Sequence, residues 1–147
     1  MIELAKELRG EVEQAAARFR TMNEADAAAS RGAEKWSRKE VLGHLIDSAC
    51  NNHQRFVRAR FADPFVGPGY DQVEWVKLHR YRDRPWADLV DLWVAMNRQL
   101  AEVIEHTPAE KLQTALVIGA REPLSLEWWI RDYLRHVKHH LAQIADR

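Results

Sequence analysis

The chain has 147 residues, 46% of them hydrophobic, and its 22 lysines and arginines balance 22 acidic residues. This is the length of one ordinary domain with its own core, so residues 1–147 are predicted to form a single domain. The balanced charge argues against nucleic acid or an anionic membrane as a partner. No stretch approaches the roughly 20 apolar residues of a membrane span. With no apolar leader and one cysteine, we expect a cytoplasmic protein.

The single cysteine, Cys50, excludes an internal disulfide framework. None of its neighbours in sequence would activate its thiol as a nucleophile. We therefore expect Cys50 to be a small buried hydrophobic residue.

Two helices are predicted in the first half of the chain. The first has apolar residues at alternating steps of three and four, which is the spacing of one helix face; they are Ala5, Leu8, Val12, Ala15, Phe19 and Met22. The second begins with Ser37 and Glu40, a capping-box pair, and extends to about Phe61. The dipeptide Asp63-Pro64 ends it.

A long connection from Ala62 to Arg84 follows, with prolines, glycines and no clean helical period. Connections of this length in a compact domain are more often functional than idle. The third helix begins near Pro85, and its apolar face is formed by Leu89, Trp93, Met96, Leu100 and Val103. A short helical turn is expected at Thr107–Glu110, and residues 115–118 are ambiguous and could be extended.

The fourth helix begins after Pro123 and Ser125, and its apolar stripe comprises Leu126, Ile130, Tyr133, Val137, Leu141 and Ile144. Four amphipathic helices of this size predict an all-α protein. We expect an antiparallel four-helix bundle with a long crossover between helices 2 and 3.

Three histidines carry the main functional hypothesis. His136 and His140 are four residues apart and share one face of the fourth helix, and His44 lies on the second helix. A three-imidazole site would bind a divalent ion, most suitably Zn²⁺ or Ni²⁺, and leave a coordination position open. Histidines are also common on exposed helix faces, and a pair near a helix C-terminus suits the macrodipole. His139 and His53 point away from the proposed site.

Polar residues follow His44 along the second helix at helical spacing, and these are Ser48, Asn51 and Arg55. Such a lane either faces water or lines a cavity. Arg55 could hold a substrate carboxylate, although a surface ion pair is the commoner role. In the crossover, Tyr70 and Trp75 could form a pocket wall, or Trp75 could simply pack the loop onto the bundle.

Of the six tryptophans, four are predicted to form core or subunit contacts, namely Trp86, Trp93, Trp128 and Trp129. Trp128 and Trp129 are adjacent and point about 100° apart, so both cannot face one core. One of them is expected at a subunit interface, and we predict a homodimer.

Two segments resemble the DinB/YfiT superfamily: Trp36–Phe56, which contains His44, and Tyr133–Ile144, which contains the His-x-x-x-His pair. The segment Gly69–Tyr81 is also similar. The resemblance implies a four-helix bundle with a divalent metal held by His44, His136 and His140. It further suggests thiol transfer, because characterised relatives include thiol transferases that use bacillithiol or mycothiol and a mycothiol-dependent maleylpyruvate isomerase.

Three functions are consistent with the sequence. The first is a metal-dependent transferase in which a low-molecular-weight thiol attacks a small electrophile; the thiol is preferred to water because no carboxylate base is evident beside the histidines. The second is a non-enzymatic metal- or ligand-binding stress protein. The third is an all-α interaction module without metal, whose histidines face solvent.

Overall fold

Four long helices frame the computed structural model, which describes residues 1–145. These helices are α1 (Ile2–Phe19), α3 (Arg38–Arg58), α5 (Trp86–Glu105) and α6 (Leu126–Ala145), and two short helices, α2 (Glu24–Ala28) and α4 (Gln72–His79), lie in the connections. The predicted four-helix bundle with a long crossover before its third long helix is confirmed.

The helix directions follow from contacts at the helix ends. Arg20 at the end of α1 pairs with Asp91 near the start of α5, at 2.7 Å between Nη1 and Oδ1, so these helices are antiparallel. Arg38 at the start of α3 donates to the carbonyl of Ile144 at the end of α6, so these helices are antiparallel too.

The crossover brings α5 back parallel to α3. Arg60, just past the end of α3, donates a 3.0 Å hydrogen bond to Thr107, just past the end of α5. At the other end, Glu24 pairs with the buried Lys39 ammonium and accepts from the backbone N–H of Trp86. Each of α1 and α3 packs mainly on α5 and α6, so α1 lies diagonally across the bundle from α3.

Local sequence explains where these helices begin. The predicted capping box of α3 is confirmed, with Ser37 accepting from the backbone N–H of Glu40 and Glu40 accepting from that of Ser37. In α4, Asp71 accepts from the backbone N–H of Glu74. The sequence pattern did not predict α4, because eight residues give too little helical period.

A small sheet closes one end of the bundle. The predicted all-α fold did not include it. Strand β1 (Phe65–Gly67) pairs in parallel with β2 (Ala115–Ile118), and β2 pairs antiparallel with β3 (Leu124–Ser125). Residues 115–118 are thus extended, one of the two possibilities the sequence left open. Beyond β2, Gly119 has φ +59° and donates to the carbonyl of Gly67, which fixes the turn leading to Arg121.

The elements pack around one hydrophobic core. Trp129 is buried and Trp128 is partly buried against that core, and their rings are in edge-to-face contact. No contact among residues 1–145 tests the expected subunit interface, and the homodimer stays a prediction. Among residues 1–145, no helix is long and apolar enough to cross a membrane.

Candidate metal centre

The predicted histidines come together where α3 and α6 cross. His44 is 1% exposed, and its Nε2 lies 3.0 Å from Nε2 of His136. The ring of His140 packs on both, with centroids 4.6 Å from His44 and 4.4 Å from His136. One nitrogen from each of the three imidazoles lies within 4.8 Å of the others.

These separations fit a common cation. Two imidazole nitrogens bound to one ion at about 2.1 Å are about 3.0–3.4 Å apart for bond angles of about 90–110°. The His44–His136 pair is already at the short end of this range. Nitrogen lone pairs that face each other at 3.0 Å repel unless a proton or a cation lies between them. The donor set therefore suits a divalent ion that prefers nitrogen.

Side chains outside the cluster fix two of the imidazoles. Nδ1 of His140 lies 2.8 Å from the amide oxygen of Gln143, which can only accept, so Nδ1 carries the proton and Nε2 keeps its lone pair. Nδ1 of His136 lies 3.4 Å from Oγ of Ser48. Partners of this kind hold the ring orientation and tautomer of metal-ligating histidines. Within residues 1–145, Nδ1 of His44 is buried without a hydrogen-bond partner.

The cluster is neutral at physiological pH. Burial, followed by repulsion from the charged forms of His136 and His140, lowers the pKa of His44 to about 3. Burial and the other histidines lower the pKa of His136 to about 4, and burial also lowers the pKa of His140. Neutral imidazole is the form that binds a metal ion.

The remaining histidines of the two helices lie apart from the cluster. His139 is exposed and contacts Gln143 at 3.3 Å. His53 faces α5, where its Nε2 lies 3.3 Å from the amide nitrogen of Gln99.

A cavity of about 420 Å³ lies beside His136, and we call it the histidine cavity. Of the predicted substrate-binding residues, Ser48, Arg55 and Tyr70 line it. The full lining comprises Ser48, Asn52, Arg55, Gly69, Tyr70, Gln72, Ile118, Gly119, Ala120, Arg121, Trp129, Asp132, Tyr133 and His136. A volume of this size suits a small molecule.

The other two predicted substrate-binding residues lie elsewhere. Asn51 and Trp75 line a neighbouring groove against β1, and Trp75 packs between the rings of Tyr70 and His79. In the histidine cavity the amide comes from Asn52, whose Nδ2 donates to the Ser48 carbonyl at 2.9 Å. The helical spacing did not decide between Asn51 and Asn52, because they follow Ser48 by three and four residues and both steps return to the same side of a helix.

Two expectations from the sequence are wrong. Cys50 is exposed rather than buried, because its position on α3 faces away from the bundle core. Arg55 forms no surface ion pair: it is 8% exposed, and no carboxylate among residues 1–145 lies within ion-pair distance. Its guanidinium instead stacks on Trp129 and Tyr70, with Cζ 5.1 Å and 5.9 Å from the ring centroids.

The sequence also gave no indication of a buried carboxylate one turn after His44. Asp47 is 2% exposed and accepts a 2.6 Å hydrogen bond from the Tyr81 hydroxyl, and Nδ1 of His79 lies 3.1 Å from the same oxygen. Burial raises the pKa of Asp47, against the effects of Tyr81 and His79. This cluster fastens the end of α4 and the turn after it to α3.

Comparison with known proteins identifies the class to which this fold and site belong. Residues 4–144 match the model of the DinB superfamily, so the chain belongs to that superfamily, and the resemblance seen in the sequence is confirmed.

Individual relatives are similar over most of this chain. "Putative metal-dependent hydrolase BH0277" of Halalkalibacterium halodurans is 26% identical over 111 residues, which are 76% of this chain and 64% of that protein. "Putative metal-dependent hydrolase OB0782" of Oceanobacillus iheyensis is 26% identical over 115 residues, with the same two coverages. The chain thus spans less than two thirds of the length of these relatives.

A solved structure has the same fold. YfiT from Bacillus subtilis, described as "a probable metal-dependent hydrolase with an unusual four-helix bundle topology", superposes with a TM-score of 0.81 at 20% sequence identity. The match covers 98% of this chain and 81% of that one.

Proposed function

We propose that this protein is a metal-dependent enzyme in which a low-molecular-weight thiol attacks a small electrophile. The observation that carries the proposal is the convergence of the three neutral imidazoles of His44, His136 and His140 on one point, with His136 also lining a cavity. Zn²⁺ or Ni²⁺ would suit these ligands. Such an ion, when bound, lowers the pKa of a thiol or water beside it and so supplies a nucleophile.

The residues of the chain would orient the ligands and move protons. Gln143 and Ser48 hold the rings of His140 and His136. Burial raises the pKa of Tyr70, while Arg55 and Ser48 partly offset the effect. The Tyr70 hydroxyl therefore stays protonated at neutral pH and can donate to a developing negative charge in the histidine cavity.

We prefer thiol transfer to hydrolysis because the carboxylate that lines the histidine cavity is ion-paired. Within the described chain, Asp132 is the one carboxylate that lines it, and Asp132 is ion-paired with Arg135. In hydrolysis, Asp132 would have to serve as the general base while it is paired with Arg135. A thiol needs less help, since its ordinary pKa of about 8.5 is already close to neutral.

Hydrolysis is the second candidate, and the names of the curated relatives favour it. Those names also favour an enzyme over a non-enzymatic binding protein. In a hydrolase of this design, Asp132 would act as the base.

The test uses protein purified without an affinity tag. We expect about one divalent ion per chain by elemental analysis, lost in the His44→Ala/His136→Ala double variant and retained in His139→Ala, which removes an exposed histidine of the same helix. A panel of model electrophiles is then incubated with and without low-molecular-weight thiols. Consumption that requires both the thiol and the metal supports the proposal.

Two results would contradict it. Metal-dependent consumption without any thiol would establish the hydrolase instead. Protein that binds no ion after incubation with Zn²⁺ or Ni²⁺ would eliminate both reactions.

A further inference from the structure

Among residues 1–145, the buried cation Arg55 has no carboxylate within ion-pair distance. Its guanidinium donates one long hydrogen bond, 3.4 Å from Nη2 to the carbonyl of Pro68, and otherwise contacts the rings of Tyr70 and Trp129. A buried charge without a partner is strongly destabilising, and natural proteins rarely keep one unless it is paired. Burial lowers the pKa of Arg55, and the nearby charge of Arg121 lowers it further.

A second unpaired arginine faces the same space. Arg121 follows β2, and its Cζ lies 5.7 Å from the ring centroid of Trp129, the ring that Arg55 also contacts. No carboxylate within residues 1–145 lies within ion-pair distance of Arg121. The two positive charges repel each other, so an anion bound beside both would stabilise the arrangement.

Both arginines line the histidine cavity, which extends to His136. Asp132 also lines the cavity, and its carboxylate is ion-paired with Arg135. The stacked guanidinium of Arg55 keeps N–H groups at the edge of its plane, and a planar fork of this kind matches the two oxygens of a carboxylate.

We propose that Arg55 and Arg121 form a carboxylate-binding subsite in the histidine cavity, so that the reactant bound beside the metal centre is a carboxylic acid. The location beside a reacting centre rests on the proposed function, whereas the carboxylate site itself does not. The carboxylate belongs either to the electrophile or to the thiol.

The first experiment uses metal-free protein, so that its outcome is independent of the metal chemistry. Benzoate is titrated by isothermal calorimetry, with benzamide as a neutral compound of the same shape and phenylphosphonate as a different anion. We expect benzoate to bind, benzamide not to bind, and phenylphosphonate to bind more weakly than benzoate. Arg55→Gln and Arg121→Gln should each weaken benzoate binding about tenfold or more, because each removes a charge-assisted hydrogen bond.

Arg58→Gln is the matched control. It removes the same charge from the same helix, but Arg58 is exposed, bonds to Gln54 and does not line the histidine cavity. Its benzoate affinity should equal that of the parent protein. Should Arg55→Gln not fold, Arg121→Gln decides the question, because Arg121 is an exposed residue after β2 whose replacement leaves the buried core side chains in place.

The subsite is overturned if benzamide binds as tightly as benzoate, if phenylphosphonate binds more tightly than benzoate, or if Arg121→Gln leaves benzoate affinity unchanged.

A separate experiment on metal-loaded protein locates the carboxylate. Electrophiles with and without a carboxylate are compared using a thiol that lacks one, and thiols with and without a carboxylate are compared using an uncharged electrophile. The reactant whose KM rises about tenfold in Arg121→Gln is the one whose carboxylate binds the subsite. If the KM of every electrophile and every thiol is unchanged in Arg121→Gln, the placement of the subsite beside the metal centre is refuted. Benzoate binding without metal-dependent activity would refute the proposed function and leave the subsite standing.

Discussion

The amide oxygen of Gln143 accepts a 2.8 Å hydrogen bond from Nδ1 of His140, which leaves the other ring nitrogen of His140 free to bind an ion. Gln143 also contacts the exposed His139. Gln143 thus contacts two neighbouring histidines, of which His140 belongs to the cluster and His139 lies on the surface.

Replacing Gln143 should weaken metal binding without unfolding the protein. We expect Gln143→Leu to reduce affinity for Zn²⁺ about 10–100-fold, because the imidazole of His140 loses the partner that fixes its tautomer. Competition with a chromophoric chelator measures the affinity. The control is Gln54→Leu, an exposed glutamine on α3 whose bond to Arg58 lies outside the cluster. Equal affinities for the two variants would contradict the assigned role.

The metal-free protein should lose stability as the pH falls from about 7 toward about 4. The folded pKa values of His44 and His136, about 3 and about 4, lie below the ordinary value of 6.5. Between these pH values the unfolded chain therefore binds more protons than the folded chain, which favours unfolding in acid. The urea midpoint measured across this range should fall more steeply in the parent than in a His44→Gln/His136→Gln variant. Parallel pH dependences would show that these imidazoles are not buried as described.

Adding a methyl group at Gly43 should disturb the crossover. A β-carbon at this position would lie 2.1 Å from the ring of Tyr81, so the ring must move. We expect Gly43→Ala to cost about 1–3 kcal/mol or more in the free energy of unfolding. The matched variant is Gly10→Ala in α1, where a β-carbon would have no neighbouring atom within 4 Å. Its free energy of unfolding should rise by about 0.5–1 kcal/mol, because alanine has the higher helix propensity. Urea unfolding of both variants checks the opposite signs, and a neutral Gly43→Ala would contradict the close packing.

Removing the Tyr81 hydroxyl should loosen the crossover. In Tyr81→Phe the buried Asp47 loses its 2.6 Å hydrogen bond, and we expect a loss of about 1–3 kcal/mol, seen as faster hydrogen exchange in α4. Tyr70→Phe serves as the comparison, because Tyr70 lines the histidine cavity and loss of its hydroxyl should affect turnover more than stability. Unchanged exchange in α4 of Tyr81→Phe would show that the bond does not fasten the crossover.

The sequence predicted those features that repeat or that lie on one helix. The apolar spacing located the four long helices, and the four-residue interval of His136 and His140 placed both on one face. The meeting of His44 with that pair depends on how α3 crosses α6, which periodicity does not describe; the residues only suggested it as a hypothesis, which the family resemblance also implied. Arg121 was missed because its proximity to Arg55 arises from the pairing of β2 with β1, between residues far apart in sequence. Gln143 could have been found, since it follows His140 by three residues on the same helix.

Within residues 1–145, the histidine cluster contains no carboxylate, which has a consequence for substrate selection. Three neutral ligands would leave the double charge of a divalent ion uncompensated, and Arg55 and Arg121 add to it from the same cavity. A protein with no formal net charge would thereby present one strongly electropositive opening to solution. Anions would be drawn toward it and amines turned away before any shape is recognised, and raising the ionic strength would slow the encounter.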